Sequence, residues 1–215
     1  MPPAWASSIT SSAAASTRFA RRCRSCRGSE AGMRVAAGTA FGGWAQVVAA
    51  PSFLVMPLPD ETSIDAGAGF VVNFQTAHLA LTRRGRLAEG EVVLVHGAAG
   101  GVGTACLQVA RALGAGTIIG VASGRERMAV AMAAGADHAL DANDDWVART
   151  RDLTGGRGAD VVCDPVGGEA LGQSLRCMAP EGRLLVIGFA AGSIPAIEAN
   201  RLLLRHHEVI GVNWG

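Results

Sequence analysis

The chain has 215 residues, is 49% hydrophobic and carries a formal net charge of +1. That is enough for one sizeable core, or for one domain with a piece of another. There is no electrostatic footprint for nucleic acid and no apolar run long enough to span a bilayer. All 19 basic residues are Arg and Tyr is absent, which removes a P-loop lysine, a Tyr–Lys proton-donor pair and Schiff-base chemistry.

Residues 1–30 are rich in Ser, Ala and Arg, and the first acidic residue is Glu30. This composition reads either as a disordered segment of a cytoplasmic protein or as an organelle transit peptide. Cys23 and Cys26 form a lone C-x-x-C with no His nearby, a weak pattern for zinc. The other cysteines, Cys106, Cys163 and Cys177, fall in apolar segments and read as buried thiols. An odd, scattered set of five points to a reducing compartment.

Residues 34–58 read as short strands, over 44–50 and again over 53–56, with Pro51, Pro57 and Pro59 as breaks. Ser63 reads as an N-cap, and helical spacing covers 64–70 and 76–81. From Glu91 onward, strands over 91–96, 117–121, 137–140, 160–164, 183–188 and 207–213 alternate with helices over 101–113, 125–134, 143–153, 168–178 and 198–204. Short apolar strands, each followed by a helix, imply βαβ units and a parallel sheet. Six of them match an α/β, doubly wound Rossmann sheet, with a ligand at the switch point beside the first strand.

The segment from Val92 to Gly103 is the most informative. A β-branched run enters a loop of Gly and Ala, and a helix follows. In this order the loop brings backbone N–H groups and a helix N-terminus up to a diphosphate. Ala98, Ala99, Gly100, Gly101, Val102 and Gly103 form an A-x-G-x-x-G in place of the stricter G-x-G-x-x-G. Gly100 admits close backbone approach, Gly103 lets the helix pack on the strand, and Gly97 supplies turn freedom. A tight turn with no ligand is the alternative reading.

An NAD-specific site places Asp or Glu about 20 residues beyond that loop, at the end of the second strand. Here that strand ends Gly120-Val121-Ala122-Ser123-Gly124, without a carboxylate. Ser123 can donate a hydrogen bond, and Arg125 and Arg127 open the next helix, so NADPH is the expected cofactor. Glu126 is expected to point away. His96 reads as a packed or hydrogen-bonded histidine. His206 and His207, taken as strand residues, face opposite sides, and no His/Cys/Glu cluster has metal spacing, so no metal is expected. Asp164 reads as a turn residue before Pro165. No catalytic acid or base stands out, which is compatible with hydride transfer governed by positioning.

Several separated segments resemble one family. They are Val95 to Gly103, Ala134-Gly135-Ala136-Asp137-His138, Leu153 to Val162, Asp164-Pro165-Val166-Gly167-Gly168 and Gly182 to Phe189. Together with 41–48 and 57–60, and in this order, they resemble the zinc-independent quinone oxidoreductases of the medium-chain dehydrogenase/reductase superfamily, which includes zeta-crystallin. The resemblance covers about residues 32 to 215. It implies NADPH-dependent reduction of quinones or α,β-unsaturated carbonyls; the alternatives are a non-catalytic NADPH-binding fragment of this fold and a fragment of the zinc-dependent alcohol dehydrogenase type. Residues 32–62 would be a remnant of a GroES-like β domain, 63–215 an incomplete Rossmann domain, and the chain is expected to be truncated at both ends and weakly active. It further implies Thr76 near the nicotinamide ribose, Val166 and Gly167 lining the crevice, and Gly188, Phe189 and Ala190 holding the carboxamide. Arg127 takes the family's Lys position at the 2′-phosphate beside Ser123. A homodimer through the edge of the sixth Rossmann strand is also implied.

Overall fold

The computed structural model describes residues 33–213 apart from Ala40 and Trp44. The expectations for residues 1–30, including Cys23 and Cys26, lie outside the described residues. The chain divides into two compact units, one up to Gln75 and one from Thr76.

In the first unit, β1 (Val35–Ala37) pairs antiparallel with β2 (Val55–Pro57), Ala36 opposite Met56. Arg34 ties this ribbon to the following turn by donating to the carbonyls of Asp60 and Thr62. The strand expected over 44–50 does not form. A turn closed by Ala45 N–H to Gly42 O, with Gly42 at a φ of +80°, leads into bends, and Val47 is exposed. Of the strand expected over 53–56, residues 53 and 54 belong to a 3-10 turn, Ser52–Leu54, and 55 and 56 are in β2.

Ser63 does act as an N-cap, its Oγ accepting the Ala66 N–H at 3.1 Å. The two helical segments expected on either side of 71–75 are one helix, α1 (Ile64–His78), which runs on into a π-helical turn at Leu79–Arg84. Residues 71–75 complete it because Phe74 stacks on Phe70, one turn earlier, at a centroid distance of 4.9 Å.

The second unit is the expected parallel sheet. Its strands are β3 (Val92–His96), β4 (Thr117–Ala122), β5 (His138–Asp141), β6 (Ala159–Asp164), β7 (Met178–Val186) and β8 (Glu208–Gly211). They lie in the order β5-β4-β3-β6-β7-β8, all parallel, so the direction of winding reverses between β3 and β6. Helices α2 (Gly101–Ala112), α3 (Arg125–Ala133), α4 (Trp146–Leu153), α5 (Gly168–Ser174) and α6 (Ala199–Leu203) form the crossovers. The core is fully buried Leu94, Ile119, Val162 and Leu184 on the four central strands. Continuous apolar runs are what a parallel sheet covered on both faces requires.

Several ends differ from expectation, for local reasons. α4 starts at Trp146 because the Asp145 carboxylate caps it, accepting the Ala148 N–H at 3.0 Å. α5 stops at Ser174, since the chain has joined β7 by Met178, opposite Ala159. β7 therefore begins five residues early, and a register irregularity opposite Ala159/Val161, with Glu181 at a φ of +62°, absorbs the extra chain. His206 and His207 are not strand residues. His206 has a φ of +56° in a turn, and His207 packs inward with Nε2 3.1 Å from the Ala179 carbonyl.

The amino ends of the strands are fastened by charge. Arg183 makes a two-pronged contact with Glu91, at 2.9 and 2.6 Å, and also donates to the Gly85 carbonyl. Asp160 accepts the Val92 N–H at 2.8 Å and pairs with Arg157.

Candidate dinucleotide site at the carboxyl ends of the strands

Gly97 leaves β3 with a φ of +56°, a left-handed conformation that costs glycine nothing. Gly100 N–H then closes onto Gly97 O at 2.8 Å, and α2 starts with Thr104 N–H bonding back to Gly100 O. In that geometry the N–H groups of Gly101, Val102 and Gly103 have no intrahelical acceptor. No acidic side chain sits in that first turn, so the positive end of the helix is open to an anion. Gly103 is the packing glycine. A Cβ there would lie 2.1 Å from Gly97 O and 2.8 Å from Ala98 Cα.

Above this loop is a cavity of about 640 Å³, the size class of small-molecule and cofactor sites. From β3 it is lined by His96, Gly97, Ala99 and Gly100, and from the end of β4 by Val121, Ala122, Ser123 and Arg127. Val166, Ala190 and Ala191 line it from the exits of β6 and β7. Those two exits are sewn together. Asp164 Oδ1 accepts the N–H groups of Val166 and Gly167, each at 2.8 Å, and Ala190 N–H donates to Pro165 O at 3.1 Å. Gly167 and Gly188 are needed for this closeness, because a Cβ on Gly167 would meet the Phe189 ring at 2.7 Å and one on Gly188 the Pro165 carbonyl at 3.1 Å. Asp164 is thus a turn residue, as expected.

Of the residues singled out from sequence, Ala99, Gly100, Ser123, Arg127, Val166 and Ala190 share this wall. Gly101, Val102 and Gly103 form the helix start behind the loop, and Ala98 is buried beneath it, its N–H bonded to Val121 O. Gly167, Gly188 and Phe189 shape the β6–β7 exits without lining the cavity. Thr76 is buried on α1 and does not line it either. Arg125 faces a different cavity, of about 610 Å³, with Met128 and Asp141.

Three further wall residues, Glu169, Ala170 and Gln173, come from one face of α5, and a fourth, Trp146, opens α4. Glu169 and Gln173 stand one turn apart on α5, but that spacing does not say what the face borders. For Trp146, nothing in the sequence distinguished cavity from core. His96 is buried with Nε2 2.8 Å from Ser174 Oγ, and Trp146 meets it edge-on at 4.8 Å. Ser174 Oγ donates to Ala170 O, so the imidazole Nε2 carries the hydrogen and donates to Ser174. Burial pushes the His96 pKa down, against the opposing pull of Asp164.

No metal set emerges. Among the described residues no group of three His, Cys, Asp or Glu is placed to hold an ion. Cys106, Cys163 and Cys177 are buried, and two of these thiols are pushed toward the protonated form: Cys163 by its hydrogen bond with Cys106 and by burial, Cys177 by burial up to about 12. Thiolate ligation of zinc does not fit them.

A dinucleotide-binding α/β domain is the class this fold and cavity define. The sequence profile of the zinc-binding dehydrogenase family matches residues 101–215. The chain is 33% identical to a quinone oxidoreductase-like protein 2 homolog of Nematostella vectensis over 81% of its own length and 48% of that protein's. It is 34% identical to a 2-haloacrylate reductase of a Burkholderia species, over 71% of this chain and 46% of that one. Among solved structures, the quinone oxidoreductase of Thermus thermophilus, described with its NADPH complex, superimposes with a TM-score of 0.74 at 39% identity, covering 85% of this chain and 57% of that one. The chain belongs to the zinc-binding dehydrogenase family, as a quinone oxidoreductase-like member of the medium-chain dehydrogenase/reductase superfamily. It spans about half the length of the curated relatives it matches.

Proposed function

We propose that residues 63–215 bind NADPH and belong to an oxidoreductase that reduces quinones or α,β-unsaturated carbonyls without zinc. The observation that carries the reading is Arg127. Arg127 lines the cavity beside Ser123, and its guanidinium has no hydrogen-bond or ion-pair partner among the described residues. An arginine left unpaired on a cavity wall is suited to a phosphate, which it can grip with two parallel hydrogen bonds. The open first turn of α2, from Gly101 to Gly103, suits the diphosphate in the same way.

Bound there, NADPH supplies a hydride. The chain's own residues bind and orient it. Ala98, Ala99 and Gly100 shape the loop and Gly101, Val102 and Gly103 present N–H groups, Ser123 and Arg127 take the 2′-phosphate, and Val166, Gly167, Gly188, Phe189 and Ala190 form the crevice for the nicotinamide end. Thr76 is proposed at the nicotinamide ribose on the strength of the family resemblance alone. Residues 32–62 are proposed as part of a GroES-like domain, and the edge strand β8 as a homodimer contact, which sedimentation at several concentrations tests. A cytoplasmic location is likewise proposed. Among the described residues no helix is long and apolar enough to cross a membrane.

Calorimetric titration of the chain with NADPH and with NADH tests the cofactor reading. Tighter binding of NADPH supports it, and equal or tighter binding of NADH overturns it. Turnover of a small quinone or an enone with NADPH, followed at steady state, tests the reaction.

A further inference from the structure

The turn between β4 and α3 already holds an anion. Asp141, the last residue of β5, pairs with Ala122 in the sheet, and Ala142 N–H donates to Ala122 O at 3.1 Å. The Asp141 carboxylate therefore stands beside the turn. Its Oδ2 accepts the N–H of Gly124, the N-cap of α3, at 3.2 Å. Its Oδ1 accepts from Asn143 twice, from the backbone N–H at 3.0 Å and from Nδ2 at 2.9 Å. These bonds favour the ionised form: the Asn143 backbone N–H first, then that of Gly124, hold the pKa below the usual value against partial burial. The residues flanking these partners, Ser123 and Ala142, both line the cavity, as does Arg127 in the first turn of α3.

No carboxylate ends β4, yet the sheet supplies one from the neighbouring strand. The first turn of α3 is where its partial positive charge concentrates. Asp141 sits on that charge before any ligand arrives. A cofactor with a 2′-phosphate brings a second anion to the same place, and one with a 2′-hydroxyl does not.

We propose that Asp141 moderates the preference of this site for NADPH, its charge opposing a 2′-phosphate while its bond to Gly124 holds the turn that presents Ser123 and Arg127. This rests on the NADPH reading above. Asp141 is a positioning residue that acts through Gly124 and through its field. It makes the chain a weaker discriminator between NADPH and NADH than Ser123 and Arg127 alone would allow.

The test is the ratio of NADPH to NADH affinity, measured by titration calorimetry on the full chain. Asp141→Asn keeps an acceptor oxygen for Gly124 and removes the charge. It is expected to tighten NADPH about two- to fivefold, the range for a charge at a helix N-terminus, and to leave NADH unchanged. Asp141→Ser, neutral and still an acceptor, must move the ratio the same way. Asp141→Ala also loses the bond, so both cofactors weaken while the ratio still rises. A purely structural role would move both affinities together and leave the ratio alone. If wild type binds NADPH and the neutral variants leave the ratio unchanged, this inference falls and the NADPH reading stands. If wild type binds neither cofactor, both fall.

Discussion

The two ends of the parallel sheet are built from the same residue types and treat them in opposite ways. At the amino ends, Arg183 is gripped by Glu91, Arg157 by Asp160 and Arg86 by Glu208. At the carboxyl ends, Arg127 and Glu169 line one cavity and neither side chain has a partner among the described residues, and the loops there depend on glycine for space and φ. Paired charge at one end fastens strands; unpaired charge at the other is available to a ligand. A sheet covered on both faces carries its ligand where loops of opposite winding separate, and that lies between β3 and β6.

The comparison can be broken most severely at Gly103. Gly103→Ala forces a Cβ onto the backbone of Gly97 and Ala98, and a loss of about 3 kcal/mol or more is expected, at or above the top of the usual overpacking range. Chemical denaturation measures it, and a loss below about 1 kcal/mol would show the loop to be pliable. Next is Arg183→Met, which strands the mostly buried Glu91 carboxylate. Removing one partner of a buried pair costs about 3 kcal/mol, and NADPH affinity should be unchanged once the variant is folded. Arg127→Ala should do the reverse. Losing a charge-assisted contact of about 1.5–3 kcal/mol weakens NADPH roughly tenfold to a hundredfold, spares NADH and leaves the unfolding midpoint in place. An equal loss for both cofactors would mean that Arg127 belongs with the fasteners.

Smaller effects sharpen the contrast. Burial depresses the pKa of His96 and of His207 below 6.5. The unfolded chain therefore binds protons that the native chain refuses, so stability is complete above that value and declines as pH falls below it. Unfolding midpoints should drop between about pH 7 and pH 5.5, around the reference histidine value, and His96→Gln should shallow the slope; an unchanged slope would remove His96 as a cause. Finally, Gly172, inside α5, has open space where a Cβ would stand, with nothing within 4 Å. Gly172→Ala should stabilise by about 0.4–1 kcal/mol through the unfolded chain, while Gly103→Ala, the same change on α2, wrecks its loop.

The sheet was legible because most of its strands are compact apolar runs and a helix follows each of the first five. Gly97, Gly100 and Gly103 were legible because their spacing encodes a steric requirement. Asp141 was not. Its part at the β4–α3 turn depends on parallel pairing with Ala122, and no local pattern announces which residue of one strand will stand beside the end of the next. Glu169, Gln173 and Trp146 were missed for a related reason: a helix's periodicity marks an apolar face and is silent on what that face borders. The split helix over 64–81 was misread because Phe74 completes its stack on Phe70 only once the helix exists.

The strand order also sets a sequence of events in time. Residues 92–141 make β5, β4 and β3, residues 159–211 make β6, β7 and β8, and each triplet is contiguous in the chain. Only the pairing of β3 with β6, Val93 opposite Val161, joins them. Within each triplet every pairing closes a single crossover, whereas this seam spans the whole first triplet and carries the larger loop-closure entropy. The seam should be the last part of the sheet to zip during refolding, and pulse-labelled hydrogen exchange should find the amides of β3 facing β6 protected after those facing β4. The cavity lies over that seam, so the binding site comes into being only as folding finishes.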